Sequence, residues 1–192
     1  MDPDSTQLVR DAQADRPGAL NQLIDHWLPV VLRWCHRLGG PGVPAEDAAQ
    51  EAFETMMDRL HTLQSPDAFP TWMFGITRRT LARHRRRAWL RRWVPGIAAG
   101  DAPDPLADPV RSSEQAQVAE RVWRALGALA VHHREVLVLC DLEERTDSEV
   151  AALLDIPKAT VKSRLRRARE ALRGELADLA PTVLSAADVE DA

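Results

Sequence analysis

Tyrosine is absent from this chain, cysteine occurs only twice in 192 residues, and no apolar run approaches the length of a membrane span. Cys35 and Cys140 each sit in an apolar helical pattern, which favours buried thiols over a disulfide or a metal site. His132 and His133 lie near Cys140 but lack a second ligand pair, so no zinc site and no cofactor are expected. Without an apolar run of about 18 residues or a signal peptide, no membrane insertion is expected and the protein reads as cytoplasmic. No alternating run reads as a strand, which leaves an all-α chain. Its length allows one large domain or two small ones.

Net positive charge is lacking as well, since the chain carries −4 at pH 7. That balance by itself argues against a nucleic-acid partner, but the distribution reverses the impression. Arg78 to Arg92 holds eight Arg and no acid, and Lys158 to Arg169 holds six basic residues and no acid. Those stretches contain 14 of the 25 Lys and Arg, leaving 11 positive charges against 29 acids elsewhere. Two basic patches on an acidic body can hold phosphates on one side and meet a different partner on the other.

The stretch 145–173 organises the rest. Thr146 and Glu149 have capping-box spacing, which predicts a helix starting at Asp147 with both side chains closing its free amides. Asp155 falls where the chain must turn, a position Asp tolerates, and Pro157 suits the first turn of a new helix. There Val161, Leu165, Ala168 and Leu172 recur at spacings of four, three and four. Lys158, Lys162, Ser163, Arg164, Arg166, Arg167 and Arg169 take the other faces. A short helix, a turn and a basic second helix form the helix-turn-helix pattern, whose second helix enters the major groove of DNA. The competing reading is a hairpin whose charges simply face water; cap, break and charge together favour DNA.

Upstream, Asp2 to Asp15 reads as a short helix, and a longer one from Pro17 carries Leu23, Trp27, Trp34, Cys35 and Leu38 at helical spacing until Gly39-Gly40-Pro41-Gly42. Trp27 and Trp34 keep the apolar period and read as core. After Pro44, Ala49, Phe53, Met56 and Leu60 make a buried stripe, while Asp47, Gln50, Glu51 and Glu54 share a polar face that from the residues alone reads as solvated. From Ser65-Pro66 a further helix runs Phe69, Trp72, Met73, Phe74, Gly75 and Ile76 directly into the Arg-rich end. Aromatic faces can stack unpaired bases while guanidinium groups hold the backbone, an arrangement suited to single-stranded DNA. Gly75 costs about 1 kcal/mol inside a helix relative to Ala, which predicts a local reason for it.

Between Val94 and Ser112, Pro and Gly alternate with Asp101, Asp104 and Asp108 and predict an extended acidic linker between two helical domains. Ser112 with Gln115 caps the next helix, a second apolar stretch spans His133 to Asp141, and Ala177 to Ala192 is expected as a frayed tail.

This order resembles the group 4, or extracytoplasmic-function (ECF), sigma factors of bacterial RNA polymerase. The run Pro44 to Phe53 is similar to their region 2.2, Phe69 to Arg87 to regions 2.3 and 2.4, and Ile156 to Arg169 to region 4.2. The resemblance implies two helical domains, a region 2 bundle over 5–93 and a region 4 helix-turn-helix over 113–176, with a linker at 94–112 and a tail at 177–192. It further implies docking on core polymerase, at the β′ clamp helices and β flap, with Asp47, Gln50, Glu51 and Glu54 on the clamp side. Trp72, Phe74, Arg78, Arg79, Arg83 and Arg86 are expected at the −10 element of promoter DNA. Lys158, Thr160, Lys162, Ser163, Arg164, Arg166 and Arg167 are expected at the −35 element. Arg79 and Arg83 stand where family members commonly carry Asn and Asp, which implies either an unusual −10 reading or one that rests more on backbone contact. An anti-sigma factor is a further partner the resemblance implies, and the expected action is binding without catalysis.

Three alternatives remain open on the residues alone. A helix-turn-helix regulator would bind operator DNA unaided as a dimer, a nucleic-acid enzyme would need a nucleophile or paired carboxylates, and a helical adaptor would bind protein only.

Overall fold

The computed structural model describes residues 3–40, 42–93 and 114–177. All regular structure among them is helical: α1 (Pro3–Gln13), α2 (Ala19–Gly39), α3 (Ala45–Arg59), α4 (Phe69–Trp93), α5 (Glu114–Ala128), α6 (Val131–Leu137), α7 (Asp147–Leu154) and α8 (Lys158–Glu175). The expected linker at 94–112, with the cap at Ser112, and the tail beyond Ala177 lie outside the described residues. The chain divides into two compact units, one built on α1–α4 and the other on α5–α8 apart from Ala152–Asp155.

In the first unit α2 supplies the spine. Its Leu23, Trp27, Val31, Trp34 and Leu38 recur every three or four residues, and all are buried. Trp34 meets Phe74 of α4 edge to face with ring centroids 4.9 Å apart, and Trp27 meets Phe69 at 5.2 Å. Such perpendicular pairs set the ring edge of one residue against the electron-rich face of the other. The Trp27 indole N–H donates to Ser5 Oγ at 3.1 Å, so the buried ring also satisfies its one polar atom. Gln13 ties α1 to the end of α3 by donating to the Leu60 and Leu63 carbonyls at 3.0 and 2.7 Å.

Helix α1 closes by two backbone bonds. Arg16 N–H donates to Asp11 O and Asp15 N–H to Ala12 O, with Asp15 at φ 51. This is the Schellman geometry, in which a left-handed residue just past the helix satisfies otherwise orphaned carbonyls. Gly39 is held by a close approach, since a Cβ there would stand 3.1 Å from Val43 Cγ1.

In the second unit α5 ends on Arg134, a buried cation that donates to the carbonyls of Gly127 and Leu129. Gly127 lies in the last turn of α5 and Leu129 just beyond it, so the guanidinium closes the carbonyl end of the helix. The expected apolar stretch from His133 to Asp141 is not one regular helix: α6 starts at Val131 and gives way to a π-helical turn at Val138–Leu142. Within that turn Asp141 accepts two bonds from Arg169 of α8, at 2.9 and 2.6 Å.

The cysteines behave as packing residues. Cys35 is buried as expected, and burial pushes its thiol up to about 12, helped by nearby Glu46. Cys140 departs from expectation in being only half-buried, where desolvation followed by Asp147 and Asp141 raises its thiol to about 11.

Candidate protein and nucleic-acid interfaces

Helix α7 starts with the bonds that the sequence pattern predicts. The Glu149 carboxylate accepts from the Thr146 N–H at 2.8 Å and from the Thr146 hydroxyl at 2.7 Å, while Glu149 N–H donates to Thr146 Oγ1 at 3.3 Å. The Thr146 hydroxyl and N–H hold the Glu149 carboxyl below the usual carboxylate range. The helix ends on Asp155 at φ 53, with Ile156 N–H on Ala151 O at 3.0 Å and Asp155 N–H on Ala152 O at 3.4 Å. These bonds repeat the Schellman closure of α1 and turn the chain into Pro157, which precedes the first residue of α8.

Helix α8 buries a narrow seam of Val161, Leu165 and Ala168. Everything else on it faces outward to some degree. Lys158, Lys162, Ser163, Arg166 and Arg167 are exposed, and Thr160 and Arg164 are half-buried. Not all of that charge is uncommitted: Arg166 pairs with Glu170 at 2.8 Å, and Arg169 with Asp141 at 2.6 Å. His133 of α6 is held below its ordinary value by burial, then by His132, Arg167 and Arg164. Thr146, Asp147, Ser148, Lys158, Ala159 and Lys162 line one open groove where α7 and α8 begin. Its two lysines and the Ser148 hydroxyl suit a phosphate backbone, with Asp147 the one acid in the lining.

In the first unit the polar face of α3 divides. Asp47, Gln50 and Glu54 are exposed, with Gln50 donating to Glu54 at 3.0 Å. Glu51, expected on the same protein-facing surface, instead turns its carboxylate onto α4. It accepts from His84 Nε2 at 2.7 Å and pairs with Arg83 at 2.9 Å and Arg87 at 3.7 Å. His84 is buried, so Glu51 serves as the acid that joins the two helices. Arg83 and Arg87 are four residues apart with His84 between them, a spacing that marks one helix edge and could have revealed this cluster.

A second correction concerns Phe74. Placed among the DNA-contacting residues by sequence, it has no exposed surface and lies against Trp34. The helical phase of α4 sends position 74 towards α2, so its ring is core. Trp72 is half-buried and braced against Phe69 at 5.9 Å. Arg79, Arg83 and Arg86 are exposed and Arg78 half-buried. Gly75 has an ordinary neighbour, because a Cβ there would meet Arg79 Nη1 at 3.5 Å. Trp89, which no sequence motif singled out, is 58% exposed.

Comparison with known proteins agrees with this architecture. The Sigma-70 region 2 family model matches residues 23–91, and the Sigma-70 region 4 model matches residues 119–172. The chain is 37% identical over 180 residues to the probable RNA polymerase sigma factor RfaY of Xanthomonas campestris, covering 82% of this chain but 45% of that protein. It is 31% identical over 185 residues to the ECF RNA polymerase sigma factor SigW of Bacillus subtilis, covering 89% of this chain and 96% of that one. Among solved structures, the sigma factor RpoE of Bartonella quintana, crystallised with the anti-sigma factor NepR, superposes with a TM-score of 0.62 at 21% identity, over 83% of this chain and 97% of that one. With a region 2 unit, a region 4 unit and a near full-length match to SigW, the chain belongs to the ECF sigma factor family of RNA polymerase.

Proposed function

We propose that this chain binds core RNA polymerase in the cytoplasm and directs it to promoters, acting by binding alone. Asp47, Gln50 and Glu54 face the β′ clamp helices, and the second unit meets the β flap. Trp72, Arg78, Arg79, Arg83 and Arg86 take the opened −10 strand. Lys158, Thr160, Lys162, Ser163, Arg164, Arg166 and Arg167 hold the −35 duplex, the guanidinium and ammonium groups divided between phosphates and base edges. An anti-sigma factor is the partner that would restrain it, by analogy with the Bartonella RpoE–NepR pair.

The observation that carries this reading is that two basic surfaces, on α4 and α8, belong to two separate compact units of one chain. Each surface alone is a modest ligand for a polyanion. A polymerase that fixes their spacing converts two weak contacts into one strong one through effective concentration. Binding through many Arg contacts also weakens steeply with added salt.

Run-off transcription with core polymerase on a promoter library tests the reading. Transcripts from defined start sites are expected only when the chain is present, and Arg164→Glu, Arg166→Glu and Arg167→Glu together are expected to abolish them. Tight, two-fold-symmetric protection of a duplex by the chain alone, with no dependence on core polymerase, would overturn the proposal in favour of a dimeric regulator.

A further inference from the structure

Trp89 lies near the end of α4 with 58% of its surface exposed. A single exposed indole is ordinary on a protein surface, but on a helix dense in Arg it offers a flat face on which an unpaired base can stack. The phase of α4 indicates what shares that side of the helix. At about 100° per residue, Trp72, Gly75, Arg79, Ala82, Arg86 and Trp89 fall within an arc of about 100° on the side away from α2. Their spacing alternates three and four. Rings stand at the two ends, guanidinium groups lie between them, and a glycine and an alanine form the low floor.

Arg79 and Arg86 are exposed and take part in no ion pair among the described residues, unlike Arg83 and Arg87, which Glu51 holds. The stripe therefore presents positive charge framed by two flat apolar faces. Trp72 is braced by Phe69 at 5.9 Å, and Trp89 lies about 25 Å further along the helix axis. Unpaired DNA matches this surface: its phosphates meet the guanidinium groups, and any base can stack on an indole regardless of sequence. Duplex DNA does not, because its bases are already stacked on each other.

We propose that Trp89 is a second base-stacking platform, so that one unpaired DNA strand lies along the outer stripe of α4 between Trp72 and Trp89, held by Arg79 and Arg86. This rests on the reading of α4 as the strand-capturing helix and extends it by one binding residue. The indole takes a base displaced from the duplex at the far end of the opened segment from Trp72.

The test uses holoenzyme assembled from core polymerase and the full chain. Its affinity is measured for a fork-junction DNA, taken from a start site found by run-off transcription, and for the same DNA fully paired. Trp89→Ala is expected to weaken fork binding about ten-fold and leave duplex binding unchanged, and Trp89→Phe to recover most of the loss. Equal weakening on both DNAs, no weakening, no recovery with Phe, or reduced affinity of the Trp89→Ala chain for core polymerase without DNA overturns the proposal. Arg79→Ala combined with Arg86→Ala separates the two levels. If that pair weakens the fork and Trp89→Ala does not, strand capture by α4 stands and Trp89 has no part in it. If neither does, strand capture by α4 falls.

Discussion

Helices α4 and α8 look alike in composition, each dense in Arg and free of acid over a long stretch, yet they are built for opposite situations. Helix α4 buries an arc of nearly half its circumference: Phe69, Met73, Phe74, Ile76, Thr77, Thr80, Leu81 and His84 all face the interior. Its basic residues share that helix with a core, and several are drawn inward, Arg83 and Arg87 to Glu51 and Arg85 to the Leu38 carbonyl at 3.0 Å. Helix α8 buries only Val161, Leu165 and Ala168, so most of its basic residues remain on the surface. A count of arginines therefore overstates the charge that α4 can offer DNA and comes closer to the truth for α8. The difference lies in how wide an apolar stripe each helix devotes to its own unit.

The sharpest way to break this comparison is Phe74→Ala. As a core ring against Trp34 it should cost about 3–5 kcal/mol of stability in the first unit, read as a large fall in melting temperature. If Phe74 were a DNA contact, melting would hold and only promoter binding would suffer. Glu51→Gln comes next. Removing the charge that Arg83, His84 and Arg87 share should destabilise the same unit by about 1–3 kcal/mol. Loss of core polymerase affinity at unchanged melting temperature would return Glu51 to the protein-facing surface.

The smallest effect belongs to the second unit. Thr146→Ala removes the cap of α7 and should cost about 1 kcal/mol. Because the Glu149 carboxyl sits lower in the folded chain than in the unfolded one, its contribution is complete above the usual Glu value of about 4.3 and is lost as pH falls through the lower folded value. Part of the acid-induced loss of stability should therefore be missing in Thr146→Ala, and urea unfolding of both proteins between pH 3 and pH 7 checks it.

Much of the second unit was legible in the sequence because its signals are local. A capping box acts across three residues, the Asp155 turn across six, and the seam of α8 is a plain helical period. The pattern on α3 and α4 was legible only in outline. Periodicity identified both as amphipathic helices, but a helix with a wide buried face leaves no simple rule for which aromatic points inward. Phe74 and Trp72 are two residues apart, and one is core while the other reaches the surface. Trp89 was missed for the converse reason: it falls outside every motif, and only its exposure marks it.

By itself, then, the amino-acid order determined the all-helical character, the caps and breaks of α7 and α8, the burial of Trp27 and Trp34, and the family resemblance. All of these depend on neighbours within a few residues or on a repeating period. Tertiary structure alone decided that Glu51 binds α4, that Arg169 belongs to Asp141, that Phe74 is core, and that Trp89 stands exposed. Each of those pairs residues or surfaces distant in sequence, and no periodicity within one helix can state which partner the next helix will bring.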